Sequence, residues 1–216
     1  GRVFTREELT RMGNLCIKHH VTVIADEIHQ DVVYSGHKHI PFASICPEFA
    51  EITVSFMNPS KTFNVPGFRT AAFIASNPVL KSAVHEMLVN NKAIGENICG
   101  TIAFYTAYEQ CDYYADQLVA YLEKNRDLVE QTLKDVPGIE VTHAEGTYLL
   151  WLDCRGLGFE SQKALDKWLV EIAKLGFNSG MSFGPEGEGY ARMNIAAPRS
   201  TVEEALHRLT NAVKAL

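Results

Sequence analysis

The 216 residues include 46% hydrophobic and 21% charged side chains, and 20 basic against 26 acidic residues give a formal net charge of −6. This balance is typical of a globular protein and excludes a disordered tail, a collagen-like rod and a membrane protein. No apolar run approaches the ~20 residues that span a bilayer. The acidic charge also excludes the basic surface on which non-specific nucleic-acid binding depends.

The cysteines and histidines predict neither a disulfide framework nor a metal site. The five cysteines form no C-x-x-C pair and are odd in number, which favours reduced thiols in a cytoplasmic protein. Five histidines fall between His19 and His39. None of them has the i, i+4 spacing of a zinc-binding helix with carboxylate ligands nearby, and we therefore predict no metal.

The first half of the chain has the pattern of alternating helices and buried strands. Thr5 and Glu8 have the spacing of a capping box, which predicts a helix that runs to about His19. A β-branched apolar run over 21–25 predicts a strand buried on both faces, and it stops at Asp26. Two further strands are predicted over 52–57 and 70–75. Polar residues at the carboxyl ends of such strands are placed for function.

The second half has longer helices and a different strand pattern. The spacing of apolar residues predicts helices over 79–92, 97–110 and 112–135. Paired strands over 139–142 and 147–153, a helix around 165–173 and a strand over 190–196 follow. Ser200 and Glu203 have the spacing of a second capping box, which predicts the start of a terminal helix.

These elements predict an α/β protein with two domains. The first is part of a large domain in which helices flank a mostly parallel sheet, and the second is a small α+β domain. We predict that the division lies near the start of the long helix, with residues 1–115 in the large domain and 116–216 in the small one.

A polar segment after the second predicted strand holds the strongest candidates for chemistry. Lys61 follows the strand end in a loop rich in Ser, Asn and Gly, and Arg69 comes eight residues later. A lysine there can form a Schiff base, and the planar fork of an arginine can bind a phosphate. Lys61 alone is also compatible with a solvated surface lysine, but its spacing to Arg69 and the strand-end position of Asp26 favour a site.

Four blocks of sequence carry a family resemblance. They cover residues 26–29, 59–64, 67–69 and 191–196. In this order they resemble the pyridoxal-phosphate-dependent class I/II aminotransferase superfamily, which has fold type I. The Asp-Glu-Ile-His block and the ending that starts at Arg192 are similar to the cystathionine β-lyase, or C–S lyase, branch of that superfamily. The resemblance implies that 1–115 is the C-terminal part of the cofactor-binding large domain.

The resemblance implies a role for each residue of a cofactor site. Lys61 would hold pyridoxal 5′-phosphate as a Schiff base and, once the substrate amine displaces it, remove the Cα proton. Asp26 would pair with the pyridinium nitrogen and keep it protonated, so that the ring acts as an electron sink. A turn or helix N-cap is the alternative role for Asp26. Arg69 would hold the cofactor phosphate, with Ser60 as a nearby hydroxyl donor.

The resemblance also implies a substrate contact. Arg192 would bind the α-carboxylate of the substrate in a bidentate fork, and an interface salt bridge is its alternative role. Asn194 would either orient Arg192 or cap a turn. Two positions depart from the pattern of many aminotransferases. His29 replaces a tyrosine that donates to the ring oxygen, as in the C–S lyase branch, and Asn58 replaces a serine that contacts the phosphate.

The function that the resemblance implies is a C–S β-lyase that depends on pyridoxal phosphate. It would cleave the Cβ–S bond of an L-amino acid to give a thiol, pyruvate and ammonia. An aminotransferase that passes the amino group to a 2-oxo acid shares the steps up to proton removal and is the alternative. A non-catalytic binder that keeps the fold without turnover is a third hypothesis. A homodimer is implied by the resemblance only.

Family members carry further cofactor contacts upstream of the position of Gly1. These are an Asn-Pro motif that contacts the ring oxygen, a glycine-rich turn that binds the phosphate and an aromatic residue that stacks on the ring. The sequence contains none of them before its first strand. We therefore expect a C-terminal fragment of a longer enzyme, and we expect the isolated chain to bind the cofactor poorly and to turn over slowly or not at all.

Overall fold

Two units make up the part of the chain that the computed structural model describes, residues 1–95 and 97–216. One unit comprises Val3–Leu118, and the other comprises Gly1–Arg2 together with Val119–Leu216. The domain limits predicted from the sequence, 1–115 and 116–216, stay a prediction.

The unit Val3–Leu118, here called the N-terminal unit, combines helices with a three-stranded sheet. Its helices are α1 (Arg6–Lys18), α2 (Pro47–Glu51), α3 (Pro78–Asn90) and α4 (Ile98–Gln110), and helix α5 (Asp112–Leu133) begins in it. Its strands are β1 (Val23–Asp26), β2 (Thr53–Met57) and β3 (Ala72–Ile74). The sequence predicts each of these elements except the short α2.

Helix α1 begins as the sequence predicts. The amide of Glu8 donates to Thr5 Oγ1 at 3.2 Å, and the amide of Thr5 donates to Glu8 Oε2 at 2.9 Å, which is the reciprocal pattern of a capping box. Leu9 on this helix packs into a core cluster with Phe42 and Phe49, whose rings stack at 5.2 Å. This cluster fixes α1 beside the sheet.

The strands of the N-terminal unit bring three chain segments to one edge. Strand β1 pairs with β2 in parallel, and β2 pairs with β3 antiparallel, so that β2 is central. Asp26 lies opposite Phe56 at the carboxyl end of β1, and Met57 at the end of β2 lies opposite Ala72 at the start of β3. The residues that follow β1 and β2 and those that precede β3 therefore share this edge.

The burial of β1 differs from the prediction. Its side chains alternate between half-buried and exposed, and Ile24 is 72% exposed. The expectation of a strand buried on both faces is therefore wrong for the described part of the chain. A continuous apolar run suggests two covered faces, but only one face of β1 meets the Leu9 cluster through Val23 and Ala25.

The other unit, here called the C-terminal unit, is built around a four-stranded sheet of order β4-β5-β7-β6 in which all pairs are antiparallel. The strands are β4 (Glu140–Val141), β5 (Leu149–Asp153), β6 (Asn178–Ser179) and β7 (Tyr190–Asn194), and the helices are the rest of α5, α6 (Gln162–Glu171) and α7 (Arg199–Lys214). Inward residues of β5 and β7 and one face of each helix form the core, with Leu152, Ala191 and Val129 fully buried. The sequence predicts these elements apart from β6.

The start of α7 corrects a prediction. The helix begins at Arg199 with Pro198 as its N-cap and no side-chain cap, so Ser200 lies inside the helix and the predicted capping box at Ser200 and Glu203 is wrong. The Tyr121 hydroxyl on α5 accepts a hydrogen bond from the Arg199 amide at 2.6 Å. A tertiary contact thus supplies the cap that the local sequence pattern placed two residues later.

A search of the described residues for membrane-spanning segments finds no helix that combines the length and the apolar character needed to cross a bilayer.

Candidate functional site

Asp26 ends β1 at the shared edge of the N-terminal sheet. The Ile28 amide lies 3.4 Å from Asp26 Oδ1. Asp26 is therefore the first residue of a tight turn. The side chain is nevertheless exposed, so one carboxylate oxygen remains open toward solvent. Asp26 therefore combines the turn role that the sequence left open with a charge available at the sheet edge.

Glu27, the next residue, holds a loop rather than facing the edge. Its Oε1 atom accepts from the Phe42 amide at 2.9 Å and lies 3.5 Å from His39 Nε2. Burial opposes ionisation of Glu27, but the hydrogen bonds from His39 and Phe42 outweigh burial and place the pKa of Glu27 below its ordinary value. Glu27 thus ties the segment around Phe42 to the end of β1.

His29 lies in the turn after β1. The Gln30 amide donates to the Glu27 carbonyl at 3.0 Å, and the Val32 amide donates to the His29 carbonyl at 3.1 Å. These two bonds define a compact turn whose His29 side chain is half-buried. The turn places an imidazole three residues beyond Asp26, at the same sheet edge.

The segment after β2 forms a tight turn around Lys61. Asn58 Oδ1 accepts from the Ser60 amide at 2.9 Å, and the Phe63 amide donates to the Pro59 carbonyl at 2.8 Å. Ser60 and Lys61 are half-buried. Within the described residues, the Lys61 ammonium makes no hydrogen bond or ion pair. The structure therefore holds the backbone of this turn, while its lysine has no charge partner among the residues that the structure describes.

Asn58, which departs from the family pattern, has a local role. Its side chain closes an Asx-type turn, because its oxygen receives the Ser60 amide two residues on. The carboxamide is therefore used to shape the turn before Lys61.

Arg69 occupies an unusual backbone conformation at the same edge. It caps the short 3-10 turn Pro66–Phe68 with φ 49° and ψ 42°, in the left-handed region that non-glycine residues seldom adopt. Its side chain is exposed. Such conformations concentrate at functional sites because the surrounding structure must enforce them. Here the conformation lets the chain reverse between the Lys61 turn and β3.

Arg192, in the C-terminal unit, lies on β7 between β5 and β6. Its Cα faces Trp151 on one side and Asn178 on the other. The Nη2 atom donates to Asn178 Oδ1 at 3.2 Å, and the guanidinium carbon lies 4.5 Å from the centroid of the Phe183 ring. The Nε atom is buried and has no hydrogen-bond partner within the described residues. A buried guanidinium donor without a partner is suited to an anionic ligand.

No carboxylate of the described residues pairs with Arg192, and its alternative role in a salt bridge at an interface stays a prediction. The other open question, the role of Asn194, has an answer. Asn194 Oδ1 accepts from the Ala196 amide at 2.8 Å, which closes the turn after β7. Asn178, rather than Asn194, holds the Arg192 side chain.

Tyr148 lies within electrostatic range of Arg192. Burial raises the pKa of the Tyr148 phenol, and the positive charge of Arg192 offsets part of that rise. The Tyr148 carbonyl also accepts from the Ile195 amide at 2.9 Å, which extends the pairing of β5 and β7. Tyr148 thus belongs to the surroundings of Arg192.

Sequence reasoning missed three residues that shape these sites. Asn178 and Phe183 contact Arg192, and Asp31 accepts a hydrogen bond from Thr62, the neighbour of Lys61. The two-residue strand β6 is too short to give a periodic signal, so Asn178 was hidden. For Asp31, its position five residues beyond Asp26 in the same turn was a usable signal.

The predicted site residues thus fall into two groups. Asp26, His29, Ser60, Lys61 and Arg69 all lie in segments at one edge of the three-stranded sheet. Arg192 belongs to the C-terminal unit. No cluster of three or more His, Cys, Asp or Glu side chains that could hold a metal ion occurs in the described part of the chain.

Comparison with known proteins assigns this arrangement to a family. Cystathionine beta-lyase PatB of Bacillus subtilis (strain 168) is 35% identical over 214 residues, which cover 99% of this chain and 55% of PatB. Protein MalY of Escherichia coli (strain K12) is 33% identical over 219 residues, which cover 100% of this chain and 55% of MalY. The chain spans about half the length of these curated relatives.

The fold agrees with the sequence match. The crystal structure of cystalysin from Treponema denticola, which contains pyridoxal 5′-phosphate, superposes with a TM-score of 0.96 and 32% identity, covering 100% of this chain and 55% of that chain. The likeness confirms the predicted α/β architecture of fold type I, of which this chain holds a part. The family model for aminotransferase class I and II matches residues 1–209, and the chain therefore belongs to that family.

Proposed function

We propose that the protein is a C–S β-lyase that depends on pyridoxal 5′-phosphate and cleaves the Cβ–S bond of an L-amino acid to give a thiol, pyruvate and ammonia. The likeness to a cystathionine β-lyase and to cystalysin supports this choice within the family. One structural observation carries the proposal. The sheet register brings the segments with Asp26, Lys61 and Arg69 to one edge.

The residues at this edge fit the cofactor in their chemistry. Pyridoxal phosphate presents a ring nitrogen, an aldehyde and a phosphate, and the edge offers a carboxylate, an amine and a guanidinium in turn. Asp26 and Arg69 are exposed, and the ammonium of Lys61 has no charge partner among the described residues. Side chains that already formed ion pairs with each other would have to break them to bind a ligand. These residues meet no such cost.

Lys61 is proposed to bind the cofactor aldehyde and then to act as a base. When bound, the cofactor supplies an electron-accepting ring that stabilises negative charge at the substrate Cα. With the cofactor and substrate bound, the Lys61 Nζ atom would accept the Cα proton. The turn on both sides of Lys61 holds its backbone by the bonds from Ser60 and Phe63, so that only the side chain needs to move.

Asp26 is proposed to hold a proton on the ring nitrogen. A carboxylate beside a protonated nitrogen favours the charged pair, and this favours withdrawal of electrons from Cα. The bond from the Ile28 amide orients the carboxylate at the end of β1. His29, three residues on in the next turn, is proposed to donate to the ring oxygen where other family members use a tyrosine.

Arg69, Ser60 and Arg192 are proposed to bind anions. Arg69 takes the cofactor phosphate with its planar fork, and the Ser60 hydroxyl adds a neutral donor. Arg192 takes the α-carboxylate of the substrate. Its buried Nε without a partner and its bond to Asn178 support that role, because Asn178 orients the guanidinium without neutralising its charge.

An aminotransferase is the second candidate, because the matching family model is that of class I and II aminotransferases. Both reactions use the same proton removal at Cα, and they diverge after that step. In the lyase the Cβ–S bond breaks and the sulfur leaves as a thiol, whereas in the aminotransferase the proton returns and the nitrogen passes to a 2-oxo acid.

The distinguishing experiment is an assay of the protein, as encoded by its full gene, with pyridoxal phosphate and cystathionine. The proposal expects pyruvate and free thiol in equal amounts without any 2-oxo acid. The variant Lys61→Ala should abolish both, whereas Lys81→Ala, which removes an exposed lysine from α3, should retain both. Consumption of an added 2-oxo acid without release of thiol would identify the aminotransferase instead.

Two further properties are proposed with the function. The protein forms a homodimer, as the family resemblance implies, and it works in the cytoplasm. The cysteines Cys16, Cys46, Cys99, Cys111 and Cys154 are all unpaired, which suits a reducing compartment. Sedimentation equilibrium tests the dimer, and fractionation of the source cells tests the location. A monomer at micromolar concentration, or recovery outside the cytoplasm, would refute the respective proposal.

A further inference from the structure

The residue after Lys61 is anchored to a different strand end. Thr62 is 0% exposed, and its hydroxyl donates to Asp31 Oδ2 at 2.9 Å. Asp31 lies 31 positions earlier in the chain, in the turn after β1. Because the acceptor is a carboxyl oxygen and the hydroxyl is shielded from water, this bond belongs to the stronger class of protein hydrogen bonds.

Asp31 is itself held in a defined turn. The Gln30 amide donates to the Glu27 carbonyl at 3.0 Å, and the Val32 amide donates to the His29 carbonyl at 3.1 Å. Val32 is fully buried. The Asp31 carboxylate therefore extends from the same rigid turn that carries His29 and that begins at Asp26.

Aromatic side chains hold the next residue, Phe63. The Phe63 ring meets Tyr108 edge-on at 5.6 Å and stacks near Tyr114 at 6.1 Å. Tyr108 also packs against Phe104 at 5.1 Å. Contacts between aromatic rings in these arrangements add to the stability that burial provides. Thr62 and Phe63 are thus fixed from two directions, while Lys61 lies between them and the Asn58 turn.

The Tyr108 hydroxyl lies within electrostatic range of the Asp31 carboxylate. This hydroxyl is buried and has no hydrogen-bond partner within the described part of the chain. Burial, assisted by the negative charge of Asp31, raises the pKa of Tyr108 to about 12.

We propose that Asp31 is a positioning residue that, through the Thr62 hydroxyl, fixes Lys61 relative to the turn carrying Asp26 and His29. This inference rests on the proposed function, because it concerns the placement of the lysine that binds the cofactor. Strand pairing alone sets the distance between β1 and β2 only as far as Asp26 and Phe56. Beyond that point the side-chain bond between Asp31 and Thr62 joins the two turns.

If the Thr62 hydroxyl only stabilised the fold, removal of another equally buried threonine hydroxyl should have the same effect on Lys61. The chain offers a matched control for this alternative. Thr53 on β2 is likewise buried, with 1% exposure, and its hydroxyl donates to the Phe49 carbonyl at 2.6 Å. Thr53→Val and Thr62→Val remove the same group from equally buried places. Only the second removes a tie between the two turns.

The test measures the reaction of Lys61 with pyridoxal phosphate. The protein, as encoded by its full gene, is mixed with the cofactor, and the Schiff base is reduced with borohydride. Peptide mass spectrometry then gives the rate of labelling at Lys61 and at the other lysines. Thr62→Val should slow labelling at Lys61 about tenfold, as expected for the loss of one charge-assisted hydrogen bond, and leave the other lysines unchanged. Thr62→Ser, which keeps the hydroxyl, should restore the rate, and Asp31→Asn should give an intermediate value.

The same variants are compared without cofactor by amide hydrogen exchange. Thr62→Val should speed the exchange of the Ser60 and Phe63 amides, and Thr53→Val should not. Equal labelling rates for Thr62→Val and wild type, or an equal loss in Thr53→Val, would overturn the inference. If wild-type protein shows no selective labelling at Lys61, the proposed function fails. The exchange data then decide the inference alone, and unchanged protection of Phe63 in Thr62→Val would reject it.

Discussion

The two sheets of the molecule differ in how their apolar side chains are covered. In the C-terminal unit, Leu152 on β5 and Ala191 on β7 are fully buried beneath helices. In the N-terminal unit, Ile24 on β1 and Ile74 on β3 are largely exposed, and α3 has no buried residue. The C-terminal unit is therefore stabilised by its own apolar core. The edge that carries Lys61 is held by the polar bond between Thr62 and Asp31 and by the aromatic contacts of Phe63.

The largest expected effect is on the free energy of unfolding, and it comes from replacing an isoleucine by alanine in each of the two units. Ile195, next to β7, is 0% exposed, whereas Ile24 on β1 is 72% exposed. Ile195→Ala should lower the free energy of unfolding by about 3 kcal/mol, because it removes buried methyl groups and leaves a cavity. Ile24→Ala should change it by less than about 0.5 kcal/mol.

Denaturant unfolding followed by circular dichroism measures both variants. Tryptophan fluorescence adds a local reading, since Trp151 and Trp168, the two tryptophans of the sequence, both belong to the C-terminal unit. Equal losses in the two variants would show that the exposed face of β1 is covered in solution, and the contrast between the sheets would then be lost.

A somewhat smaller effect should follow loss of the buried arginine on α5. Arg126 is 8% exposed, and it donates to the Ala144 carbonyl at 2.8 Å and to Asp127 Oδ1 at 2.6 Å. Arg126→Met should lower the free energy of unfolding by about 2 kcal/mol, because a buried carbonyl loses its donor.

Arg126→Lys is the informative partner variant, and thermal unfolding compares the two. A lysine keeps the charge but not the fork that reaches both Ala144 and Asp127. A stability close to that of Arg126→Met is expected. Full stability in Arg126→Lys would mean that charge alone, rather than the paired geometry, holds α5 to the segment before β5.

We expect Glu27 to contribute to the pH dependence of the free energy of unfolding of the N-terminal unit. Its pKa in the folded protein lies below the ordinary 4.5, so its bonds to Phe42 and His39 contribute stability above that pH. This contribution is lost as the pH falls through the folded-state pKa. Glu27→Gln should therefore be less stable than wild type at pH 6, and the difference should shrink below pH 4.5.

Urea unfolding at a series of pH values measures this difference. Glu51→Gln is a suitable control because Glu51 is exposed and its side chain takes no part in the bond to Phe42. A gap between wild type and Glu27→Gln that stays constant down to pH 3 would contradict the assigned role of the Glu27 charge.

The smallest effect is expected at an exposed ion pair of the C-terminal unit. Lys167 and Glu171 on α6 approach to 3.8 Å with side chains 69% and 59% exposed. Lys167→Ala should alter the free energy of unfolding by less than about 0.5 kcal/mol, since water screens such pairs. A loss as large as that of Arg126→Met, with both variants measured by thermal unfolding, would show that surface charge also matters for this unit.

Local patterns predicted most of the fold. The capping box at Thr5, the apolar run before Asp26 and the stripes on α5 and α6 each concern neighbours within a few residues, and the structure confirms these elements. Two features could not be found that way. The start of α7 depends on Tyr121 from a distant helix, and the two-residue β6 exists only because it pairs with β7. Tertiary contacts decide such features, and a single sequence does not display them.

The candidate site was predicted in a similar way. Residues with distinctive chemistry in short motifs, such as Lys61, Arg69 and Arg192, stood out, and their roles stay predictions. Residues that act through another side chain did not stand out. Asn178 and Asp31 are ordinary polar residues whose importance depends on the contacts with Arg192 and Thr62. Those contacts depend on strand order, which the sequence alone left open.

The contact at the start of α7 also bears on the order of folding. Tyr121 precedes Arg199 by 78 positions, so during synthesis on the ribosome α5 is complete long before α7 emerges. The first turn of α7 closes on the Pro198 carbonyl, which accepts from the Thr201 and Val202 amides, and Tyr121 adds the bond to the Arg199 amide. If this bond forms after the rate-limiting step of folding, Tyr121→Phe should speed unfolding and leave the folding rate unchanged, and stopped-flow measurement of both rates tests this. Helix α7 is thus joined to α5 by a bond that forms only after both helices have been synthesised.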